Sequence, residues 1–282
     1  MFRLSHVRVF LGQLIRRFYS DNITRSAASL SYSTLLALVP FLIVMYYILA
    51  PFPLFKGIDT QIQHFIVNNF VSDLATNVNA QLSVFLKQMS TLRWTNILAL
   101  AVVNILMMFN LVQAYNSIWH VRLRYNYALA FLFYAIVLLI SPLVFASLLF
   151  LGPYLASIKL LLGSGIYGYV SKPFLKLIPF FSAVVVFTLF NWLLPSTKVK
   201  LRYAFVCGSV TAILFDAAKY LFAYYVKYFS SYKMIYGALA IIPFFLVWIY
   251  LSWLIILLGA LMCNIMSVGL EKSMSYYERL VL

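Results

Sequence analysis

Two charged residues, Asp216 and Lys219, lie inside a long apolar stretch of the sequence. Their i, i+3 spacing places them on one helical face, where the carboxylate and the ammonium group can pair. In a membrane-spanning helix, a charge at the bilayer centre costs about 2.5–3.5 kcal/mol. Three interpretations follow. The two residues line the path of a translocated substrate or form a protonation site, they form a structural ion pair, or Lys219 snorkels toward an interface.

Uncharged polar residues mark another apolar stretch, where Asn110, Gln113 and Ser117 recur at helical spacing. This stripe is a candidate to face Asp216 across an internal cavity, which would make Asp216, Lys219, Asn110 and Gln113 one intramembrane polar site. The alternative is that the stripe supplies hydrogen bonds between helices. Small residues, which allow helices to approach closely in lipid, form a stripe earlier in the chain: Ser26, Ser29, Ser33 and Ala37.

Catalytic and metal-binding patterns are absent from the sequence. The 6 acidic residues and 3 histidines are scattered, and no two histidines share a ligand spacing on one helix. There is no glycine-rich phosphate loop, nucleophile elbow or pair of catalytic carboxylates. The 2 cysteines, Cys207 and Cys263, are not in a C-x-x-C spacing, so we expect free thiols. We therefore predict no enzymatic activity, no metal site and no cofactor.

The composition indicates a membrane protein. Of the 282 residues, 65% are hydrophobic and 10% are charged, whereas soluble domains are about 45–50% apolar and about 25% charged. The surplus apolar surface must face lipid. The formal charge of +15 is explained by Lys and Arg residues in loops, where they meet anionic headgroups at the cytoplasmic face. We therefore expect membrane lipids and envelope proteins as partners, and no nucleic acid.

The hydropathy pattern predicts an all-α membrane protein, because its apolar stretches approach the roughly 20 residues that cross a bilayer as a helix. Residues 1–26 are predicted to form a basic amphipathic helix at the interface, residues 51–93 a long periplasmic loop, and residues 267–282 a cytoplasmic tail. The transmembrane domain, residues 27–266, is predicted as a six-helix bundle with these spans: 27–50, 95–118, 127–151, 177–194, 203–226 and 239–266.

Charged and aromatic residues orient the predicted spans. Trp94 and Trp119 bracket the second span, as interfacial aromatic residues do. Lys and Arg are dense in the short turns at 120–126 and 195–202 and sparser in the longer segments on the other side. The positive-inside rule then places both termini in the cytoplasm. Three spans contain a proline: Pro40, Pro142 and Pro243. Pro40 is expected to kink or break its helix, although prolines are also common in ordinary membrane helices.

Four blocks of sequence carry the pattern of a known family: SAASLSYSTLLALVP (26–40), YNSIWHVR (115–122), FTLFNWLLP (187–195) and YLFAYYVKYFSSYKMIYGALAIIPFFLVWIYLSWLIILLGA (220–260). Together they resemble the YihY/BrkB family of bacterial inner-membrane proteins nearly end to end. The motif positions are Pro40, Asn116, Trp119, Pro195, Tyr236, Gly237, Leu239, Pro243, Trp248, Tyr250 and Gly259. In one departure, Leu261 stands where the family commonly has a glutamate, so a shared activity that needs this acid is not expected here.

The resemblance implies a six-helix protein of the bacterial inner membrane without a defined activity. The family has carried the label ribonuclease BN and a label for virulence or serum resistance. The ribonuclease label does not fit these residues, because the sequence has no soluble catalytic domain, no acidic metal cluster and no nucleic-acid module.

The leading expectation for function is a transporter-like protein that handles a lipid-like or amphiphilic substrate of the cell envelope. Asp216 and Lys219 would line the path, with Asn110 and Gln113 opposite. The alternative is a non-transporting scaffold or envelope assembly factor, docking partners on the long loop and the N-terminal helix. A membrane enzyme would need acidic residues and histidines to converge in space. A polar cavity reaching one leaflet would favour transport, and a sealed, dry interior would favour the scaffold.

Overall fold

The computed structural model describes residues 4–49, 94–121, 180–228 and 241–268. All regular structure in these residues is helical, as expected for an all-α membrane protein. The described helices are α1 (Leu4–Ser20), α2 (Ile23–Leu49), α3 (Trp94–Trp119), α4 (Phe180–Leu193), α5 (Leu201–Tyr228) and α6 (Ile241–Val268).

Four of the described helices are long and apolar enough to cross a membrane: Ile23–Ile48, Thr95–Trp119, Leu201–Val226 and Pro243–Val268. A helix of 25 or 26 residues rises about 38 Å, which exceeds the roughly 30 Å hydrocarbon core of a bilayer. These helices match four of the predicted spans to within a few residues. The shorter apolar helix α4 overlaps the span predicted at 177–194.

Other parts of the predicted architecture lie outside the described residues. These parts are the span at 127–151, the loop at 51–93 and nearly all of the tail at 267–282. The count of six spans therefore stays a prediction.

The outer faces of the long helices are apolar. On each of the four long helices, large hydrophobic side chains of the kind that a soluble protein buries have more than a third of their surface exposed. This pattern is what a lipid-facing surface requires, because an apolar side chain loses nothing by contact with hydrocarbon. Examples are Tyr32, Leu36, Leu98, Leu106, Ile213, Leu221, Phe245 and Val247.

The chain divides into two compact units. One comprises Met1–Leu35, Met107–Tyr127 and Leu148–Leu282, and the other comprises Leu36–Leu106 and Ala128–Ser147. In the second unit, Ile43 and Val44 are buried, and the buried Asn104 amide donates to the Leu100 carbonyl at 2.8 Å. All the contacts described below belong to the first unit.

Close contacts at glycine join α4, α5 and α6. A Cβ added at Gly208 on α5 would lie 2.5 Å from Thr188 Oγ1 on α4, and one added at Gly259 on α6 would lie 1.9 Å from Thr211 Oγ1 on α5. Thr211 Oγ1 donates a hydrogen bond to the Cys207 carbonyl of its own helix at 2.7 Å. The glycines therefore let neighbouring backbones approach as small residues do in membrane helix packing.

An aromatic cluster continues the packing between α5 and α6. Trp248 lies 5.5 Å from Phe215 and 5.1 Å from Phe222 between ring centroids, and Phe215 also meets Phe187 of α4 at 5.4 Å. Residues early in α5 meet residues late in α6, so the two helices are antiparallel. Cys207 illustrates this order, since its Sγ lies 3.5 Å from Met266 Sδ. Both cysteines are free thiols, as predicted, and both are buried.

The prolines do not divide the described helices. Pro40 lies inside α2, which continues without interruption to Leu49, so the expected break is not present. Pro243 is the third residue of α6 as described. In the first turn of a helix a proline sacrifices no intrahelical hydrogen bond. Pro142 lies outside the described residues.

The N-terminal helix α1 has the exposed basic and apolar side chains expected at a membrane interface: Arg8, Val9, Leu11, Ile15, Arg16 and Tyr19. Arg17 departs from that expectation, because only 4% of it is exposed. α1 packs against α6, and this packing encloses the Arg17 side chain.

Candidate functional site

The first turns of α2 and the last turns of α3 enclose a polar cleft, here named the α2–α3 cleft. Its volume is about 310 Å³, which is at the lower end of ligand pockets. The two predicted stripes, small residues on α2 and polar residues on α3, face each other across it. The lining residues are Arg25, Ser26, Ser29, Leu30, Asn110, Gln113, Ala114 and Ser117.

One hydrogen bond ties α2 to α3 beside the α2–α3 cleft. Asn110 Nδ2 donates to Ser33 Oγ at 3.2 Å. Ser33 in turn donates to the Ser29 carbonyl of its own helix at 3.0 Å. This bond is the interhelical use that the sequence allowed for the polar stripe. Gln113, one turn from Asn110, also lines the cleft.

Several polar side chains of the cleft have no partner within the part of the chain that the structure describes. Among the described residues, no hydrogen bond or ion pair is made by the side chains of Arg25, Ser26, Ser29 or Gln113. In a hydrocarbon environment a polar group without a partner costs several kcal/mol. The cleft is therefore a place where water or the polar part of a ligand is stabilised.

Asp216 and Lys219 are not among the residues that line this cleft. They form an ion pair with each other on α5, at the predicted i, i+3 spacing. The Lys219 side chain is 45% exposed and that of Asp216 is 35% exposed, and Lys219 Nζ lies 5.8 Å from the centre of the Phe215 ring. The structure thus groups Asn110 and Gln113 with Arg25 and the serines, and groups Asp216 with Lys219.

A second polar cluster joins α1, α3 and α6, and we name it the Arg17 junction: Arg17, Asp21, Ile118, His120 and Asn264. Arg17 Nε and Nη2 both donate to Asp21 Oδ2, at 3.1 and 2.9 Å. Nη2 also donates to the Ile118 carbonyl at 2.8 Å, and Nη1 donates to Asn264 Oδ1. Each of the three guanidinium nitrogens therefore has an acceptor, as a buried cation requires.

Two left-handed residues shape the Arg17 junction. His120, at φ 52, ends α3. Its amide donates to the Ser117 carbonyl and the next amide donates to the Asn116 carbonyl, which is the Schellman pattern. The cap directs the imidazole back to the junction, 3.6 Å from Asp21 Oδ1. Asn22, at φ 51, makes the turn after α1 that brings Asp21 beside Arg17.

Sequence reasoning missed the Arg17 junction. The i, i+4 spacing of Arg17 and Asp21 was visible and indicates a helical ion pair. However, the many arginines around Arg17 indicated an exposed, lipid-binding surface. No local signal pointed to Asn264 on α6.

Some of the family-motif residues that the structure describes join neighbouring segments of the chain. Asn116 is buried and clamps the residue after Pro195: its Nδ2 donates to Ser196 Oγ at 2.9 Å, and its Oδ1 accepts from the Ser196 amide at 2.8 Å. Trp119 is buried and stacks on Tyr115, with ring centroids 6.0 Å apart. Gly259 makes the close approach to Thr211 described above. Tyr236, Gly237 and Leu239 lie outside the described residues.

Metal chemistry has no evident centre in the described part of the chain, where no group of three or more His, Cys, Asp or Glu residues could hold an ion. The His120 and Asp21 side chains are both engaged in the Arg17 junction.

Comparison with known proteins identifies the family. A family model described as "Virulence factor BrkB" matches residues 14–271. The chain belongs to the BrkB family. This confirms the resemblance predicted from the four sequence blocks. The BrkB match covers the α2–α3 cleft and the whole of the Arg17 junction.

Curated relatives of the chain are named as membrane proteins. A "UPF0761 membrane protein" of Coxiella burnetii (strain RSA 493 / Nine Mile phase I) is 41% identical over 262 residues, which are 93% of this chain and 94% of that protein. One from Pseudomonas aeruginosa (strain LESB58) is 39% identical over 275 residues, which are 97% of this chain and 66% of that protein. No solved structure matches the chain. The protein is therefore a membrane protein of the BrkB family.

Proposed function

We propose that this protein is a transporter-like protein of the bacterial inner membrane that handles a lipid-like or amphiphilic substrate of the envelope. The observation that carries the proposal is the α2–α3 cleft. It is an open polar space between two helices that are otherwise apolar enough to span a bilayer. An amphiphile fits such a surface, because its headgroup needs a polar space and its acyl chains need an apolar surface beside it.

The energetics of the cleft support a polar occupant. Arg25, Ser29 and Gln113 line it without hydrogen-bond partners among the described residues. The neighbouring spanning surface is apolar, and Tyr32 on the same helix is 65% exposed. A headgroup in the cleft would satisfy the polar side chains, while its acyl chains would remain in contact with lipid. This arrangement removes the cost of carrying a headgroup through hydrocarbon alone.

The proposed orientation places the cleft in the cytoplasmic half of the membrane. Its residues lie at the beginning of α2 and the end of α3. The positive-inside rule assigns both ends to the cytoplasmic side, since the basic segment 1–26 precedes α2 and Arg122 and Arg124 follow α3. With both termini in the cytoplasm, the cleft would admit a substrate from the inner leaflet.

A vesicle assay tests the proposal. Full-length protein is reconstituted into vesicles that contain a phospholipid with a fluorescent headgroup, and dithionite quenching reports movement between leaflets. Wild-type protein is expected to accelerate this movement. Ser29→Leu fills the cleft with an apolar side chain and is expected to return the rate to that of protein-free vesicles.

Ser209→Leu is the matched control, because the same substitution is made on α5 at a partly exposed serine outside the cleft, whose hydroxyl bonds its own helix at the Phe205 carbonyl. This variant is expected to keep the wild-type rate. Wild-type vesicles no faster than protein-free ones, or equal rates for Ser29→Leu and wild type, would contradict the proposed function.

A further inference from the structure

We infer that Arg25 is an anion-binding residue and that the α2–α3 cleft takes the phosphate group of a lipid headgroup. This inference rests on the proposed function and specifies the chemical class of its substrate. Three observations support it: Arg25 has no counter-charge among the described residues, the other polar lining groups are hydrogen-bond donors, and the cleft has the volume of a headgroup.

Arg25 has no counter-charge within the described residues, although one stands nearby in sequence. Asp21 precedes Arg25 by four residues, a separation at which opposite charges often pair. Asp21 is committed elsewhere: its Oδ2 accepts from two nitrogens of Arg17, and its Oδ1 accepts from the Ser20 hydroxyl and faces His120. The Asp21 side chain is only 4% exposed, so it is enclosed with Arg17 and not directed at the cleft.

The remaining lining groups also suit an anion. Among the described residues no carboxylate lines the cleft, and each polar side chain that does so contains a hydrogen-bond donor: the Arg25 guanidinium, the amides of Asn110 and Gln113, and the hydroxyls of Ser26, Ser29 and Ser117. A cation would meet repulsion from Arg25. A phosphate offers several acceptor oxygens, and its geometry matches the planar fork of a guanidinium.

Position in the cleft distinguishes Arg25 from the other exposed arginines. Arg8, Arg16 and Arg202 are exposed at helix surfaces but do not line the cleft. Only general attraction to an anionic membrane is expected of them. Arg25 is accompanied by hydroxyl and amide donors on two facing helices, so it can hold a phosphate in a defined orientation.

The dimensions of the cleft favour a headgroup over a whole lipid. Its volume of about 310 Å³ is at the lower end of the range for ligand pockets, so acyl chains would lie outside. The Asn110–Ser33 hydrogen bond joins the two helices beyond Ser29 along α2. The helix rises about 12 Å from Arg25 to Ser33, which confines the phosphate to the cytoplasmic end of the spanning region.

Binding to purified full-length protein in detergent tests the inference, with native mass spectrometry as the measurement. Three probes separate the sources of the signal: phosphatidylglycerol, diacylglycerol with the same chains, and glycerol 3-phosphate. We expect phosphatidylglycerol to bind and the other two probes to bind at least about tenfold more weakly. Diacylglycerol lacks the phosphate, and glycerol 3-phosphate lacks the acyl chains.

Three variants locate the phosphate. Arg25→Gln is expected to weaken phosphatidylglycerol binding by about tenfold or more, since it removes charge-assisted hydrogen bonds. Arg25→Lys keeps the charge but not the fork, so the loss should be smaller. Arg202→Gln removes one exposed arginine away from the cleft and should leave binding unchanged. Thermal unfolding of each variant confirms that the fold is intact.

The outcomes separate this inference from the proposed function. Wild-type affinity in Arg25→Gln, or an equal loss in Arg202→Gln, would overturn the phosphate site. Diacylglycerol binding as tightly as phosphatidylglycerol would also overturn it, while leaving the handling of an amphiphile intact. Glycerol 3-phosphate binding as tightly as the lipid, and lost in Arg25→Gln, would uphold the phosphate site and contradict lipid handling.

Discussion

Two ion pairs in this protein have the same chemistry and opposite surroundings. Arg17–Asp21 lies at the junction of α1, α3 and α6 and is almost fully enclosed, with side-chain exposures of 5% and 4%. Asp216–Lys219 lies on α5 alone, and its side chains are 35% and 45% exposed. The first pair makes hydrogen bonds to residues 101 and 247 positions away in the sequence, whereas the second pair bonds within one helical turn.

The difference shows that a charge inside an apolar sequence does not by itself locate the most constrained site. Asp216 and Lys219 stand out in the sequence because their neighbours are apolar. Arg17 does not, because it is one of several arginines in a basic segment. The structure reverses this order, since the enclosed guanidinium organises three helices and the conspicuous pair contacts mainly itself and Phe215.

The largest effect is expected from Arg17→Ala. It leaves the Asp21 carboxylate enclosed without its cation and frees the acceptors at Ile118 and Asn264. Breaking a buried pair in this way costs about 3–5 kcal/mol. The free energy of unfolding, measured by denaturant titration in mixed micelles, checks this value. Arg16→Ala is the control at the adjacent exposed position and should cost less than about 0.5 kcal/mol. Equal losses of unfolding free energy in Arg17→Ala and Arg16→Ala would show that the enclosed Arg17 is no more constrained than an exposed arginine.

A smaller loss of stability is expected from Gly259→Ala, which tests how much the close contact between α5 and α6, where no charge is involved, contributes to the free energy of unfolding. The new Cβ would lie 1.9 Å from Thr211 Oγ1, so α5 and α6 must shift, at a cost of about 1–3 kcal/mol in the free energy of unfolding. Gly12→Ala is the control, because nothing lies within 4 Å of its added Cβ. Combining Gly259→Ala with Thr211→Ala should restore part of the loss. A neutral Gly259→Ala would show that the helices tolerate separation there.

The smallest effect is expected from replacing Asp216 and Lys219 together with leucine. Removing both charges leaves neither unpaired, and partly exposed ion pairs contribute about 0–1 kcal/mol. Unfolding free energy and the vesicle transport rate are measured on the same preparation. A rate unchanged in a normally folded variant would remove the pair from the mechanism. Lost transport with an intact fold would instead place it on the substrate path.

The features predictable from sequence are those that depend on neighbours in the chain. The spans follow from local hydropathy, and four of them are present as long apolar helices near the expected residues. The Asp216–Lys219 pair follows from i, i+3 spacing and is formed. The small-residue and polar stripes were also visible, because helical periodicity assigns each to one face.

The features that sequence could not provide depend on which faces meet. Asn110 and Gln113 were expected opposite Asp216, and they line a cleft with Arg25 and Ser29. Periodicity defines a stripe but does not name its partner helix. Pro40 was expected to kink or break α2, and the helix does not break there, since neighbouring groups in a membrane bundle can satisfy the backbone that a proline frees. Arg17 could be placed only by the docking of α1 on α6.

The hydrogen bond between Arg17 and Asn264 also sets an order of assembly. The two residues are 247 positions apart, so the ribosome delivers Arg17 first and Asn264 roughly 12–50 s later at usual elongation rates. Throughout that interval, α1 lacks the helix against which it finally packs. The Arg17 junction can therefore close only after α6 has been made, which couples α1 to a helix that is synthesised much later. A chain that stops short of Asn264 carries an incomplete junction.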